Sequence, residues 1–454
     1  METLMKKTEL FVLVIMAVMC SHAQTLRVVD CDGSTPLSGL LGEDMLSIDS
    51  LVVRGSLRHA DFPVLKECCR DGRLSGIDLS GCTVEDDSIP DMAFSGTIPG
   101  IHCIWGLRHV TLPEGLRAIG RFAFAGTGLE ELRLPQSVRV MGEAAFYNCK
   151  YLGGTVVLPE GMTRVESDLF RNCFGLRHVV FPSTLTHICA TAFDNATEVE
   201  EVDLPEGLEY IGKDAFCSNK QIASVTIPDG VKELGAFQHC EQLREVHLPD
   251  GLRRIGDSCF DGCPLEEVNW PQGLQEIGSD AFYHVRLLDI IFPDGLATIR
   301  SYAFDGCNQL KRVVLPEGIT LLEGDAFRNC KSLRQVYMRS PVPPVRADLV
   351  NGSFMLSGTT VPFTGLPDDA VLYVPVGSKV LYEQCEEWSV FSDIVEVETF
   401  PSSVGHITMP GDGAFSVYRP DGALSAKGRA GGVGLQRGVN IVRKDGVTRK
   451  VISR

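Results

Sequence analysis

Ten prolines recur at almost constant spacing: Pro113, Pro135, Pro159, Pro182, Pro205, Pro228, Pro249, Pro271, Pro293 and Pro316, in steps of 21 to 24 residues. A phenylalanine follows eleven residues after nine of them, at Phe124, Phe146, Phe170, Phe193, Phe216, Phe260, Phe282, Phe304 and Phe327. In the remaining unit Phe237 comes nine residues after Pro228, a two-residue deletion. A period of this length held over ten units marks stacked repeats, each touching only its neighbours. A chain built this way grows as an elongated array. It does not divide into the roughly three compact domains that 454 residues would otherwise suggest.

Each unit has a physical reading. In Leu107–Pro113, Val110 and Leu112 alternate with polar residues, the period-two pattern of a short strand with one buried face. Pro113 lacks an N–H and ends the ladder, and Leu112-Pro113-Glu114-Gly115 suits a type I turn. Leu116 and Ile119 point back to the interior, and Gly120 is read as the site of a sharp bend. Ala123-Phe124 then pairs a small residue, past which backbone can run closely, with a ring that fills the coil. With strands about 4.8 Å apart, ten coils predict a parallel sheet about 45–50 Å long on one face.

The unit L-x-x-V-x-L-P-x-G-L-x-x-I-G-x-x-A-F-x-x-C resembles the leucine-rich repeat of BspA-type bacterial surface proteins. The resemblance implies a repeat solenoid of right-handed leucine-rich-repeat type, with a parallel β-sheet along one face and caps at both ends. It is tightest over residues 107–338. It extends back over an N-terminal cap and degenerate repeats (24–106), through Ile48–Val53, Leu74–Leu79 and Ala93-Phe94, with a short helix expected around Phe62–Cys69. Forward, residues 339–400 hold a last strand at Leu372–Pro375 and a stretch, Gly377–Phe391, similar to a capping helix. Residues 401–454 form a small β-rich C-terminal domain, from Phe415–Tyr418 and Asp421-Gly422 to Gly438–Val442 and Lys450–Ile452. This segment resembles the sorting domain of type IX secretion, with Asn440 where such sorters carry an aromatic; a plain terminal appendage is the other reading.

At the N-terminus, Lys6 and Lys7 precede an apolar run from Leu10 to Met19 and then Ser21-His22-Ala23. That is the layout of a secretory signal peptide (1–23), cleaved before Gln24. Cys20 opens the alternative of a lipid-modified cysteine, which bulky Met19 disfavours. No run is long enough to span a bilayer, so no transmembrane segment is expected. With 59 acidic against 42 basic side chains, a formal charge of −17, nothing favours nucleic acid.

Chemistry-bearing patterns follow the repeat. Cys149, Cys173, Cys240, Cys263, Cys307 and Cys330 stand three residues after the repeat phenylalanine, where other units hold Thr127, Ala196, Asn219 and Val285. A slot shared by such residues reads as a buried packing position, with reduced thiols rather than disulfides. Cys31, Cys68, Cys69, Cys82 and Cys103 are the better disulfide candidates. The C-x3-C at Cys259 and Cys263 lacks a second pair, so no metal is expected. His109, His178 and His247 lie outward in non-adjacent coils, and Glu130-Glu131, Glu200-Glu201 and Glu266-Glu267 read as a solvated acidic face. Gly432–Gly438 has one residue too many for a nucleotide loop. No catalytic constellation stands out, so neither an enzyme nor a cofactor is expected.

The informative pattern is the outward slot of each strand. It reads Thr111, Arg133, Val157, Val180, Asp203, Thr226, His247, Asn269, Ile291, Val314 and Tyr337. Val157 with Val180, and Ile291 with Val314 and Tyr337, would make apolar patches on stacked rungs, with His247 and Asn269 in a polar middle. These seven residues are the candidate ligand-binding set, unless flanking segments cover them or the β-branched residues merely favour strands. The resemblance implies an exported cell-surface or secreted protein that adheres to extracellular protein or glycan, matrix-like or mucin-like. The alternative is a non-catalytic envelope scaffold, in the periplasm if not on the surface.

Overall fold

The computed structural model describes residues 25–96, 103–344 and 361–401, together with the backbone of four strands between 415 and 453. The proposed signal peptide, the glycine-rich stretch 432–437 and Asp421-Gly422 lie outside the described residues.

The chain winds as a β-solenoid of leucine-rich-repeat type. Parallel strands Leu26–Asp32, Ser50–Leu57, Gly76–Val84 and His109–Thr111 pair in chain order. Further parallel groups on the same face are Gly154–Val157 with Leu176–Val180, then Ser224–Thr226, Glu245–His247 and Glu267–Val268. The last group runs from Asp289–Ile291 through Arg312–Leu315, Gln335–Met338 and Val371–Pro375 to Asp393–Val397. The single continuous sheet expected from the repeat is thus interrupted. A second ladder, of two-residue strands such as Ala118–Ile119, His187–Ile188 and Arg254–Ile255, runs along another side and is interrupted too. Near the C-terminus, Phe415–Tyr418, Leu424–Gly428, Gly438–Lys444 and Val447–Ser453 form a separate antiparallel sheet.

The sharp corner is not made at Gly120, whose φ is not positive. Left-handed residues make it, just before and just after the Ala-Phe pair: Phe122 and Gly126 in one coil, Asp280 and His284 in another. Gly120 answers a steric demand instead, since a Cβ there would lie 2.5 Å from the amide nitrogen of Asp91 in the preceding coil.

The rings behind these corners form a column. From Phe94 through Phe124, Phe304 and Phe327 to Phe363, successive centroids lie 5.0 to 6.2 Å apart. That spacing follows the rise per rung, and each buried ring contributes about 1.5–3 kcal/mol of apolar burial. Backbone bonds run beside the column, as from the Phe124 N–H to Ala145 O (2.8 Å) and the Phe304 N–H to Ala326 O (2.7 Å). Both ends are closed by caps. Phe62, on the helix Phe62–Arg70, meets Phe94 edge-on at 5.8 Å. At the other end Trp388 and Phe391 pack on Phe363. Buried Tyr382, on the helix Lys379–Glu383, donates its hydroxyl to Ser340 O at 2.8 Å.

Asp61 fixes the N-terminal cap. It is buried, accepts two bonds from the Arg58 guanidinium (2.9 and 3.1 Å), and accepts the Leu37 N–H at 3.0 Å. Burial alone would raise its carboxyl, but the Arg58 side chain and the backbone N–H groups of Leu37 and Arg58 outweigh that and hold it below its ordinary value. A depressed folded-state value means stability present above about pH 4, the unfolded value, and lost as pH falls through the folded one. Asp61→Asn is expected to cost about 2 kcal/mol at neutral pH. The gap from wild type should narrow in thermal melts taken progressively below pH 4.

The cysteine slot is buried, and it does more than fill space. Each thiol donates to the phenylalanine carbonyl of the preceding coil: Cys149 to Phe124 O (3.1 Å), Cys173 to Phe146 O (3.3 Å), Cys240 to Phe216 O (3.3 Å). Cys263, Cys307 and Cys330 do the same at 3.0, 3.3 and 3.2 Å. Asn219 substitutes for a thiol, its amide reaching Phe193 O at 2.9 Å. The N-terminal disulfide candidates are not bridged. Cys31 and Cys82 are separated by the rung carrying Gly55, about 9.6 Å, beyond disulfide reach. Cys68 and Cys69 are buried and unbridged, and Cys103 takes a hydrogen bond from Asn148. Burial pushes the Cys149 thiol up to about 12, and all six slot cysteines are fully buried. A thiol reagent at pH 8 is expected to leave the six slot cysteines unmodified in native protein and to label all six in denaturant, as read by mass spectrometry.

Candidate binding face and an acidic cleft

The strand face places the seven candidate residues unevenly. Val157 and Val180 are 47% and 41% exposed and lie opposite each other on paired strands. His247 is exposed, 3.0 Å from Glu245. Asn269 is exposed, yet both ends of its amide are used. The side chain accepts the Leu248 N–H (2.8 Å) and donates to Leu248 O (2.7 Å), replacing a ladder partner.

The patch expected at Ile291, Val314 and Tyr337 requires correction. The three are in register, but Val314 is fully buried and its neighbours are half-buried. Tyr337 stacks on Tyr373 at 4.4 Å and meets Phe400 edge-on at 6.4 Å. Arg339 donates to Pro401 O at 2.8 Å and pairs with Asp294 at 3.1 Å, tying the chain after the last strand back onto this region. Tyr337, at least, is met by the protein's own C-terminal segment through Phe400. The alternation carries no information about what covers these slots.

A different feature distinguishes the middle of the face. Glu200 N–H donates to Arg177 O (3.1 Å) and Arg244 N–H to Ala223 O (3.0 Å). Among the described residues the corresponding bond from Ala223 to Glu200 is missing, and Val202–Leu204 pair with no strand on the Ser224–Thr226 side. The second ladder stops at the same joint, since Tyr210–Ile211 and Glu233–Leu234 belong to different sheets. On the phenylalanine side the joint is closed, by Asp214 N–H to Gly235 O, Phe216 N–H to Ala236 O and Ser218 N–H to Gln238 O, at 2.9, 2.9 and 2.8 Å.

The two-residue deletion falls in the coil on the C-terminal side of this joint. Where a regular coil reads Gly256-Asp257-Ser258-Cys259-Phe260, the shortened one reads Gly235-Ala236-Phe237, without the left-handed corner residue equivalent to Ser258. The shortened coil keeps the ring column and stays close at its turn, where a Cβ on Gly230 would lie 2.4 Å from Leu208 O, while its outer strand leaves the preceding segment unpaired.

The parting leaves a cleft of about 930 Å³ on the strand face. Buried Val202, Val225 and Ile227 contribute to its lining. Five carboxylates surround it, from Glu200, Glu201, Asp203, Glu206 and Asp229, and among the described residues no lysine, arginine or histidine lines it. The sequence shows Glu200-Glu201 as one acidic pair among several, and the deletion before Phe237 marks only the coil beside it. Among the described residues no group of three or more histidine, cysteine, aspartate or glutamate side chains is placed to hold a metal ion. The arrangement can attract cationic groups and offer unpaired strand backbone beside them.

Comparison with known proteins bears on the repeat. A leucine-rich repeat protein from Bacteroides ovatus has 25% identity and a TM-score of 0.47, with 63% of this chain and 76% of that one covered. A leucine-rich cell surface protein from Faecalibacterium prausnitzii shares 23%, with a TM-score of 0.39 and coverage of 64% and 83%. The pneumococcal vaccine antigen PcpA shares 21%, with a TM-score of 0.46 and coverage of 78% and 80%. No curated protein sequence matches. The family model of the BspA type leucine-rich repeat region matches in six copies over residues 83–197, 117–236 and 233–353, more than half of the chain. The chain therefore belongs to the BspA-type leucine-rich repeat family.

Proposed function

We propose that this is an exported, cell-surface binding protein whose acidic cleft takes an extended, basic segment of a partner protein. The carrying observation is the coincidence, at one joint, of parted strands and five carboxylates without a lining cation. An extended peptide can satisfy strand backbone by β-addition, while lysines or arginines along it meet the carboxylates and speed association. Val180 and Val157 continue the outward row away from Asp203, since His178 bridges to Glu201 and Val180 pairs with Val157. They offer an apolar anchor beside the charged one. Export is supported by the charged and apolar layout before Gln24. No helix among the described residues is long and apolar enough to cross a membrane.

The test is fluorescence anisotropy of a labelled decapeptide alternating lysine and valine, titrated with the full chain. Wild type is expected to bind saturably at 50 mM salt and at least tenfold more weakly at 500 mM, because screening shortens the reach of exposed charges. The combined variant Glu201→Gln, Asp203→Asn, Glu206→Gln, Asp229→Asn should bind at least tenfold more weakly at low salt, with its thermal midpoint retained. Equal affinity in a folded variant would overturn the cleft assignment. Protease shaving of intact producing cells tests the location, and full protection would shift the reading to an internal envelope scaffold.

A further inference from the structure

A second feature lies at the corner joining the cysteine slot to the next strand, in the N-terminal half. Between the slot and the inward leucine stand Trp105-Gly106, then Gly128 alone, then Lys150-Tyr151, then Phe174-Gly175. Trp105 and Tyr151 are 38% and 62% exposed, and their rings meet edge-to-face with centroids 5.8 Å apart. They belong to coils that are not adjacent. Contact is possible because the intervening corner is one residue short and holds only Gly128, where a Cβ would come 2.2 Å from Trp105 O. The Lys150 ammonium lies 5.4 Å from the Trp105 ring centroid and 5.9 Å from that of Phe174.

The fold does not require aromatics here. Equivalent corners farther along read Thr197-Glu198, Lys220-Gln221 and Glu241-Gln242, the hydrophilic residues expected of a solvated turn. Exposed aromatic area held at a rigid corner costs apolar hydration in the free protein, and two-torsion side chains such as Trp and Tyr give it up on binding with little ordering cost. The cluster is far smaller than the roughly 800 Å² per partner of a folded-protein interface, so its size suits a small rigid ring.

We propose that Trp105, Tyr151 and Lys150 form a carbohydrate-binding platform that takes one pyranose residue of a glycan. The C–H face of a pyranose is flat and weakly apolar and stacks on an aromatic ring. Its rim of hydroxyls, or a carboxylate on an acidic sugar, accepts hydrogen bonds from the ammonium of Lys150. This site is separate from the acidic cleft and does not depend on it.

Of the three tryptophans, Trp388 is buried and Trp270 is half-buried against Phe292, which makes Trp105 the accessible reporter. The experiment titrates the full chain with maltoheptaose, with hyaluronan oligosaccharides and with a proline-rich peptide, reading intrinsic tryptophan fluorescence and, for the variants, isothermal calorimetry. A saturable response to at least one glycan is expected, weakened at least tenfold in Trp105→Ala and in Tyr151→Ala with thermal midpoints retained. Lys150→Met should weaken hyaluronan more than maltoheptaose if the carboxylate is recognised, and both alike if hydroxyls are. The cleft variant should leave glycan affinity unchanged. No saturable response to either glycan, a response to the peptide alone, or undiminished glycan binding in folded Trp105→Ala and Tyr151→Ala would overturn the proposal.

Discussion

Replacing Phe304 with alanine is expected to lower stability by about 3–5 kcal/mol, the cost of truncating a large ring in a core that cannot fully collapse. Phe304 is fully buried and stacked on Phe282 at 5.1 Å and Phe327 at 5.0 Å, with Phe292 against it at 5.7 Å. The cavity would interrupt the column on both sides at once. Because each coil touches only its neighbours, the damage should stay local. Hydrogen exchange should show lost protection around residues 282–327, with the N-terminal coils nearly unchanged, and denaturant melts should become broader or biphasic. A uniform loss of protection along the chain would refute the nearest-neighbour picture. Val157→Ala, on the exposed face, is the control and should stay within about 0.5 kcal/mol of wild type.

Gly55→Ala is expected to cost about 3 kcal/mol or more, through two causes that a second variant separates. Gly55 has φ +84°, and a Cβ added there would lie 2.1 Å from the backbone oxygen of Cys31 on the neighbouring strand. A left-handed conformation costs a non-glycine residue about 1–2 kcal/mol, and overpacking against backbone adds about 1–3 kcal/mol. Gly377 has φ +86°, and a Cβ added there would meet nothing within 4 Å, so Gly377→Ala should show the conformational part alone. If both variants melt together, close approach of the two strands contributes nothing.

Much of this architecture is legible in the residues because a repeat states each rule ten times over. The proline and phenylalanine spacing implies coils, the alternation around Val110 and Leu112 implies strands, and the shared slot of Cys149 and Thr127 implies burial. Other features depend on more than one coil. Gly120 looks like a bend residue in one unit, and only the adjacent backbone of Asp91 shows that it marks a close approach. Asn269 looks like an exposed polar residue until Leu248 consumes its amide.

By itself the sequence determined the solenoid, its period, the inward and outward faces of each strand and the buried thiols, because these follow from local alternation and from burial repeated at fixed spacing. Tertiary structure alone decided which outward residues meet solvent. Cover and opening are set by partners distant in sequence: Phe400 and Pro401 come back to the rungs of Tyr337 and Arg339. At the other joint a coil two residues short keeps its phenylalanine stacked while its strands part, leaving the acidic cleft.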